Sequence, residues 1–235
     1  MPPKNLSEAL SAVDWNKNIA SMMTDNKRAE SITAAITHLA IWSKQLEQTD
    51  AQNPALCFIR EMQSAAHNTA VLIPLGLYKP AAASMRAIVE AGLYYTYFRT
   101  HLVELATLAR EQGFYMEKKE ILSFHKDHTP EFSLRERKIG LISRLEIVYS
   151  KMSAVIHGQI PGKWTTYKAL QEISYDQIVC DQAISTLNEV TEVIKRLFLC
   201  TVAQEFWHSF SKSAKTTILH GLSGEQKQEI GLDYA

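Results

Sequence analysis

The sequence has few cysteines, and their arrangement matches no disulfide framework or metal site. There are three cysteines, Cys57, Cys180 and Cys200, so at least one cannot be part of an intramolecular disulfide. Their spacing fits neither a metal-binding nor a redox motif. We therefore expect reduced thiols in a reducing compartment, which points to the cytoplasm. The first residues of the chain also lack the apolar segment of a secretory signal peptide, so we expect no export.

Long apolar runs and an excess of either charge are missing as well. No stretch reaches the roughly 18 apolar residues that a membrane-spanning helix needs, so we expect no membrane association. The formal net charge is zero, because 25 basic residues balance 25 acidic ones. The chain therefore lacks the overall positive charge of many nucleic-acid-binding proteins, and RNA binding requires a local cluster of cations. Neutrality also favours association with itself or with a partner.

Strand signals are nearly absent, whereas helical periodicity occurs along most of the chain. Across residues 32–46, for example, apolar side chains recur every three or four positions. Ser133 with Glu136, and Ser174 with Gln177, have the spacing of capping boxes at helix starts. These patterns predict an all-α fold, a helical bundle of five to seven helices with up-and-down connections.

The domain organisation predicted from the sequence is simple. No linker, internal repeat or low-complexity segment divides the 235 residues, a length that fits one large domain. We expect a single helical-bundle domain at residues 1–220 and a loosely ordered C-terminal tail at residues 221–235. Within the domain, residues 111–132 are polar and lack a clean period, so they are predicted to form a long connection.

The periodicity predicts an unusually long C-terminal helix over residues 174–210. At 1.5 Å per residue such a helix is about 57 Å long, more than a bundle of this size covers, so we expect it either to project beyond the core or to kink. Its apolar face includes Leu197, Phe198, Phe206 and Phe210. Because large exposed apolar patches mark interaction sites, we expect these four residues to form the interface of a homodimer or of a complex with a partner protein.

Two predicted helices carry polar residues at helical spacing. Arg86 and Glu90 lie four positions apart among apolar and small residues. Tyr149, Ser153 and His157 follow at steps of four near one face of a later helix. Arg86, Glu90, Tyr149 and Ser153 either form a structural polar cluster or anchor a ligand in a pocket. His157 either caps the end of its helix or acts as an acid, a base or a phosphate ligand.

The same residues carry a resemblance to a known group of proteins. The motifs concerned are Gly76-Leu77-Tyr78, Ala82 to Met85, Arg86-x-x-x-Glu90 and Tyr149-x-x-x-Ser153-x-x-x-His157-Gly158. They resemble a loosely defined family of uncharacterised bacterial helical proteins, often encoded near phage-defence genes. The bundle of that family resembles the HEPN fold (higher eukaryote and prokaryote nucleotide-binding). The resemblance covers about residues 60–160 and implies a protein that binds RNA or cleaves it without a metal ion.

The sequence departs from the Arg-x(4–6)-His motif of HEPN ribonucleases. Lys151, rather than an arginine, stands six positions before His157, so Lys151 and His157 are the candidate catalytic pair. Arg60 and His67 match the spacing literally, but about one such match is expected by chance, and we assign it no role.

Other candidate sites are less persuasive. His125, Asp127 and His128 lie close together but lack the fixed helical spacing of a zinc motif, so we expect no metal ion. The aromatic residues of the segment 94–98 are able to stack on bases, but we expect them in the core. No glycine-rich phosphate loop or nucleophile elbow is present, and we expect no cofactor.

Two functional hypotheses follow. The first is a non-catalytic interaction subunit that binds itself or a partner protein, in a phage-defence system if the resemblance holds. The second is a HEPN-like effector that binds or cleaves RNA, with the basic run at residues 135–138 contacting the RNA and His157 transferring a proton. A basic cleft around His157 favours RNA, whereas an apolar groove favours a protein partner.

Overall fold

All regular secondary structure in the described part of the protein is helical. The structure, a computed structural model, describes residues 5–160, 162–164 and 167–232, and no strand occurs among them. The prediction of an all-α fold is therefore confirmed. Residues 1–4, at the start of the predicted domain, and residues 233–235, at the end of the predicted tail, lie outside the described residues.

The described residues form more helices than the predicted five to seven. In chain order they are α1 (Leu6–Ser11), α2 (Trp15–Met23), α3 (Asn26–Thr49), α4 (Leu56–Leu72), α5 (Tyr78–Phe98), α6 (Leu102–Arg110), α7 (Lys118–His128), α8 (Phe132–Ile139), α9 (Leu141–Ile156), α10 (Gln177–Cys200), α11 (Ala203–Phe206), α12 (Lys212–Leu219) and α13 (Gly224–Glu229), with short 3-10 helices at Leu170–Glu172 and Trp207–Ser209. No helix in this part of the chain is long and apolar enough to cross a membrane.

Part of the excess of helices comes from a break that the periodicity does not reveal. The single helix predicted from Ser133 is divided at Gly140, whose positive φ of 66° ends α8 and begins α9. Glycine adopts this left-handed conformation without the steric cost of a side chain. The five longer helices, α3, α4, α5, α9 and α10, pack against one another as the bundle, and the shorter helices cover its ends and sides.

Helices α5 and α10 lie at the centre of the bundle. Helix α5 packs against α4, α9 and α10, and α10 also packs against α3 and α9. At Gly92 of α5 the two central helices come unusually close. A Cβ atom at this position would lie 2.5 Å from Cδ1 of Ile194 in α10. The side chain of Ile194 therefore occupies the space that a side chain at position 92 would need.

The predicted long C-terminal helix is present as α10, but it does not extend over the whole of residues 174–210. Helix α10 ends at Cys200, so its 24 residues span about 36 Å. The chain leaves the helical conformation at Thr201, which has φ −120° and ψ −96°. The side chain of Gln204 then donates to the carbonyl of Leu199 at 2.7 Å and satisfies one of the terminal acceptors of the helix.

The predicted interface residues belong to the core of the bundle. Leu197 and Phe198 are fully buried, Phe210 is 4% exposed and Phe206 is partly buried. Trp42 of α3 packs edge-on against Phe198 and Phe210, with ring centroids 5.2 and 5.8 Å apart. The exposed apolar face on which the interface prediction rests is therefore absent from the described chain, because Leu197 and Phe198 face the core within α10 and Phe210 packs against α3 after the turn. The basis for expecting a homodimer through this helix is lost with it.

The predicted loose order of residues 221–235 is not what the described part of this segment shows. It contains α13 and ends with Ile230 fully buried and Leu232 only 7% exposed. The carbonyl of Ile230 also accepts a hydrogen bond from Gln204 at 3.2 Å. The two apolar residues thus hold the described end of the chain against the bundle.

Candidate functional site

The polar residues that the sequence singles out on two helices meet at one place. Helix α5 presents Arg86 and Glu90, which are one helical turn apart, and Nε of Arg86 donates to Oε1 of Glu90 at 2.8 Å. Helix α9, which packs against α5, presents Tyr149 and Ser153, with His157 directly after its last turn. The packing of α5 against α9 therefore builds a single cluster from residues far apart in the chain.

Arg86 is the centre of this cluster. Its Nη2 donates to the hydroxyl of Tyr149 at 2.7 Å, and its Nη1 donates to Oγ of Ser153 at 3.3 Å. The hydroxyl of Tyr149 in turn donates to Oε1 of Glu90 at 2.8 Å. Cζ of Arg86 lies 4.6 Å from the centroid of the Tyr149 ring, a distance at which a cation is attracted to the ring. The guanidinium is therefore held in one orientation by several partners.

The imidazole of His157 completes the cluster at its exposed edge. Its Nε2 lies 3.2 Å from Nη1 of Arg86. Because a guanidinium only donates hydrogen bonds, Nε2 must carry a lone pair in this arrangement. The backbone of His157 occupies the C-cap position of α9, and its N–H donates to the carbonyl of Ser153. The side chain, however, contacts Arg86 and makes no hydrogen bond to a terminal carbonyl among the described residues.

The cluster is half-buried rather than buried. The side chains of Arg86 and Glu90 are 25% and 43% exposed, so the pair is in contact with solvent. Burial alone lowers the pKa of Arg86, but hydrogen bonding to Glu90 and the nearby Tyr149 outweigh it and raise the pKa above its usual value. Burial, together with the hydrogen bond to Glu90, raises the pKa of Tyr149 to about 12. Arg86 therefore stays charged and Tyr149 stays protonated at neutral pH.

Lys151 does not join His157, although the sequence suggests the two as a catalytic pair. Nζ of Lys151 lies 3.1 Å from the carboxylate of Glu189 in α10. Six positions along a helix correspond to about 1.7 turns, so the side chains of Lys151 and His157 leave α9 in different directions. The cation next to His157 is therefore Arg86 from another helix, and not Lys151, which the sequence suggests.

A cleft of about 380 Å³ opens beside Arg86 and is bordered by Tyr149. Sequence reasoning missed the contribution of α7 to it, because residues 111–132 were expected to form a connection. Lys118, the first residue of α7, places Nζ 4.6 Å from the centroid of the Tyr149 ring. The spacing of the apolar residues Ile121 and Phe124, three positions apart, is the signal that could have revealed this helix.

His125 of α7 has a structural role. His125 is 3% exposed, and its ring nitrogens lie 2.9 Å from the hydroxyl of Thr96 and 2.8 Å from that of Thr129. Burial lowers the pKa of His125 to about 4, so the ring is neutral near pH 7. Among the described residues, no group of three or more His, Cys, Asp and Glu side chains is arranged to hold a metal ion, and this includes Asp127 and His128.

The basic run at residues 135–138 is committed to local contacts on α8. Arg135 pairs with Glu131 at 2.8 Å, and Lys138 pairs with Glu229 of α13 at 2.7 Å. Within the described part of the chain, none of these cations contacts the Arg86 cluster. Arg137 and Lys138 are exposed, whereas the side chain of Arg135 is only 11% exposed, and the run is not part of the candidate site.

No protein-family model matches the chain, and neither a curated protein nor a solved structure is significantly similar to it. The resemblance to HEPN-like proteins is therefore carried only by the residues quoted above. The Arg86 cluster and its cleft are the observations from which a function has to be inferred.

Proposed function

We propose that this protein acts in the cytoplasm as a HEPN-like RNA-binding protein that cleaves RNA without a metal ion at the Arg86 cluster. The observation that supports the proposal is the contact between Arg86 and His157. It joins a permanent cation, suited to phosphate, to an imidazole nitrogen whose lone pair is able to accept a proton. Both groups reach solvent, so a substrate has access to them.

RNA carries its own nucleophile, which makes this pair of groups sufficient for a transesterification. The 2′-hydroxyl of one ribose attacks the adjacent phosphorus while Nε2 of His157 accepts its proton. Arg86 stabilises the negative charge that develops on the phosphate oxygens. The bond between phosphorus and the 5′-oxygen breaks, and this oxygen takes a proton from water. The products are a 2′,3′-cyclic phosphate and a 5′-hydroxyl.

The other members of the cluster orient Arg86 rather than react. On substrate binding, the Arg86–His157 contact is exchanged for contacts from Arg86 to the phosphate and from His157 to the 2′-hydroxyl. The hydrogen bonds to Glu90 and Tyr149 can persist during this exchange, since they use Nε and Nη2. A fixed guanidinium needs little reorganisation when the charge develops, which is the condition for strong electrostatic stabilisation.

The proposal is tested with labelled single-stranded RNA incubated with the purified protein in EDTA. We expect cleavage that leaves a 2′,3′-cyclic phosphate, and no cleavage of a strand of the same sequence with 2′-deoxyribose throughout. His157→Ala should lower the rate by about 10²–10⁴-fold, the range typical of general acid–base catalysis. Its melting temperature should stay near that of the wild type, because the removed imidazole is exposed.

Lys151→Ala is the matched control. Lys151 lies on the same helix as His157, but its partner is Glu189 and it lies outside the cluster. We expect this variant to cleave at the wild-type rate. The proposal is abandoned if the wild type does not cleave RNA in EDTA, or if His157→Ala cleaves as fast as the wild type.

A second candidate, a non-catalytic interaction subunit, is favoured by helix α6. None of the nine residues of α6 is buried, and Leu102 and Val103 are 50% and 78% exposed. Replacing Val103 by glutamate should disrupt a protein contact at this face while leaving RNA cleavage unchanged. Light scattering of the wild type and Val103→Glu at tens of micromolar separates this candidate from the first.

A further inference from the structure

The cleft beside the Arg86 cluster has room for a small ligand. Its volume of about 380 Å³ lies toward the lower end of the roughly 300–1,000 Å³ that is usual for small-molecule sites. Helix α5 contributes Arg86 and Tyr94 to its walls, α9 contributes Tyr149, and the segment that leads into α7 contributes Tyr115 and Lys118. Cations and aromatic rings therefore line the same cleft.

Two cations of the cleft border the same aromatic ring. Cζ of Arg86 and Nζ of Lys118 each lie 4.6 Å from the centroid of the Tyr149 ring, so both are close to the same phenol. Their counterions, Glu90 and Glu146, are 43% and 52% exposed. Ion pairs with such exposed carboxylates contribute little free energy, so an incoming phosphate can replace Glu146 at Lys118 at small cost, while Arg86 offers Nη1 and keeps its hydrogen bond to Glu90.

The aromatic side chains provide the apolar part. Tyr94 is fixed, because its ring packs edge-on against Phe58 and Phe98 with centroids 5.3 Å away. Tyr115, in contrast, is 64% exposed although it lies at the cleft. Burial of an aromatic ring away from water is favourable, so an exposed ring beside cations is suited to stack on a ligand. Nucleic-acid bases stack on such rings whatever their identity.

From this arrangement we propose that the cleft holds one unpaired nucleotide of the RNA, with its phosphate between Arg86 and Lys118 and its base stacked on Tyr115. The inference rests on the proposed function and adds the form of RNA that the site takes. A base in a double helix has both faces covered by its neighbours and cannot stack on a side chain. Duplex RNA is instead bound along the wide minor groove by shape, which needs an extended surface.

Binding is measured separately from cleavage by the use of 2′-O-methyl RNA, which has no nucleophilic hydroxyl. The probes are a fluorescent single strand, the same strand annealed to its complement, and the same strand with one abasic position at its centre. We expect the wild type to bind the single strand more tightly than the duplex. Tyr115→Ala should weaken single-strand binding by roughly 5- to 100-fold, the range for loss of one stacked base.

Two further variants make the test specific. Tyr115→Phe keeps the ring and should restore the affinity, whereas loss of a merely structural hydroxyl contact would not be restored. Lys118→Ala should make the affinity fall less steeply with salt concentration, by the amount that corresponds to the loss of about one phosphate contact. Tyr115→Ala should leave this salt dependence unchanged. Melting temperatures of all variants are measured alongside, so that loss of binding is not confused with loss of folding.

The outcomes separate this inference from the function on which it rests. If the wild type binds no RNA, both proposals fail. If it binds RNA but takes duplex as well as single strand, or if Tyr115→Ala binds like the wild type, only the unpaired-nucleotide inference fails. If adenosine monophosphate alone binds as tightly as the strand, the cleft takes a free nucleotide and its assignment to RNA is wrong.

Discussion

Nη1 of Arg86 and Nε2 of His157 lie 3.2 Å apart, although 71 positions separate the two residues in the chain. The contact exists because α5 packs directly against α9. A site built on two packed helices is positioned more rigidly than one built on loops. Substitutions that leave this packing intact therefore test the chemistry of the cluster, and substitutions that disturb it test the fold.

Loss of Arg86 should cost less stability than loss of a buried ion pair. A buried pair loses about 3–5 kcal/mol when one partner is removed. Because Arg86 and Glu90 are 25% and 43% exposed, water replaces the missing partner, and we expect Arg86→Ala and Glu90→Ala each to lower the free energy of unfolding by about 1 kcal/mol. Urea unfolding measures both. A loss of 3 kcal/mol or more in either variant would show that the pair is dry in solution.

Close packing of the two central helices gives a second prediction. A methyl group at Gly92 has to displace Cδ1 of Ile194, which is the end of a flexible side chain. Overpacking of a core typically costs about 1–3 kcal/mol, and we expect Gly92→Ala to fall in that range despite the better helix propensity of alanine. Combining it with Ile194→Val, which removes the clashing atom, should recover part of the loss. No recovery would contradict the close contact.

A third prediction concerns the apolar residues after residue 196. Phe198 is fully buried and packs edge-on against Trp42 and Tyr95. Phe198→Ala should lower the free energy of unfolding by about 3–5 kcal/mol, as large-to-small substitutions in cores do. The molar mass measured by light scattering should be the same as that of the wild type under native conditions. A change of mass without a loss of stability would restore the idea of an interface at this position.

The fold class could be predicted from the sequence because it depends on local periodicity. The end of α10 could not, since Thr201 interrupts a stretch that stays apolar on both sides. Helix propensity does not forbid a threonine, and the break is stabilised by tertiary contacts, among them the packing of Phe210 against Trp42. The interface prediction lost its basis for this reason, because it followed from a helix that does not continue.

The members of the Arg86 cluster could be found from helical spacing, but their arrangement could not. Arg86 and Glu90 are adjacent on one helix, so their hydrogen bond follows from the spacing alone. The contact with His157 depends on which faces of α5 and α9 meet, and this is a tertiary property. Lys118 escaped notice because α7 is polar at its start and its buried side chains include a histidine, His125, which hides the apolar period.

The last prediction uses the buried imidazole of His125. Burial and the nearby His101 lower its pKa to about 4 in the folded protein, whereas the unfolded chain has the ordinary value of 6.5. Above pH 6.5 the ring is neutral in both states, so it adds no pH dependence. As the pH falls from 6.5 toward 4, the unfolded chain binds a proton that the folded protein excludes, and the free energy of unfolding falls by up to about 3 kcal/mol.

His125→Gln keeps hydrogen-bonding groups for Thr96 and Thr129 and removes the titration, so its urea midpoint should fall less steeply over this range. His38, whose pKa is also lowered to about 4 by burial, contributes equally to both proteins and cancels in the comparison. Parallel pH profiles for the wild type and His125→Gln would mean that the ring is open to solvent.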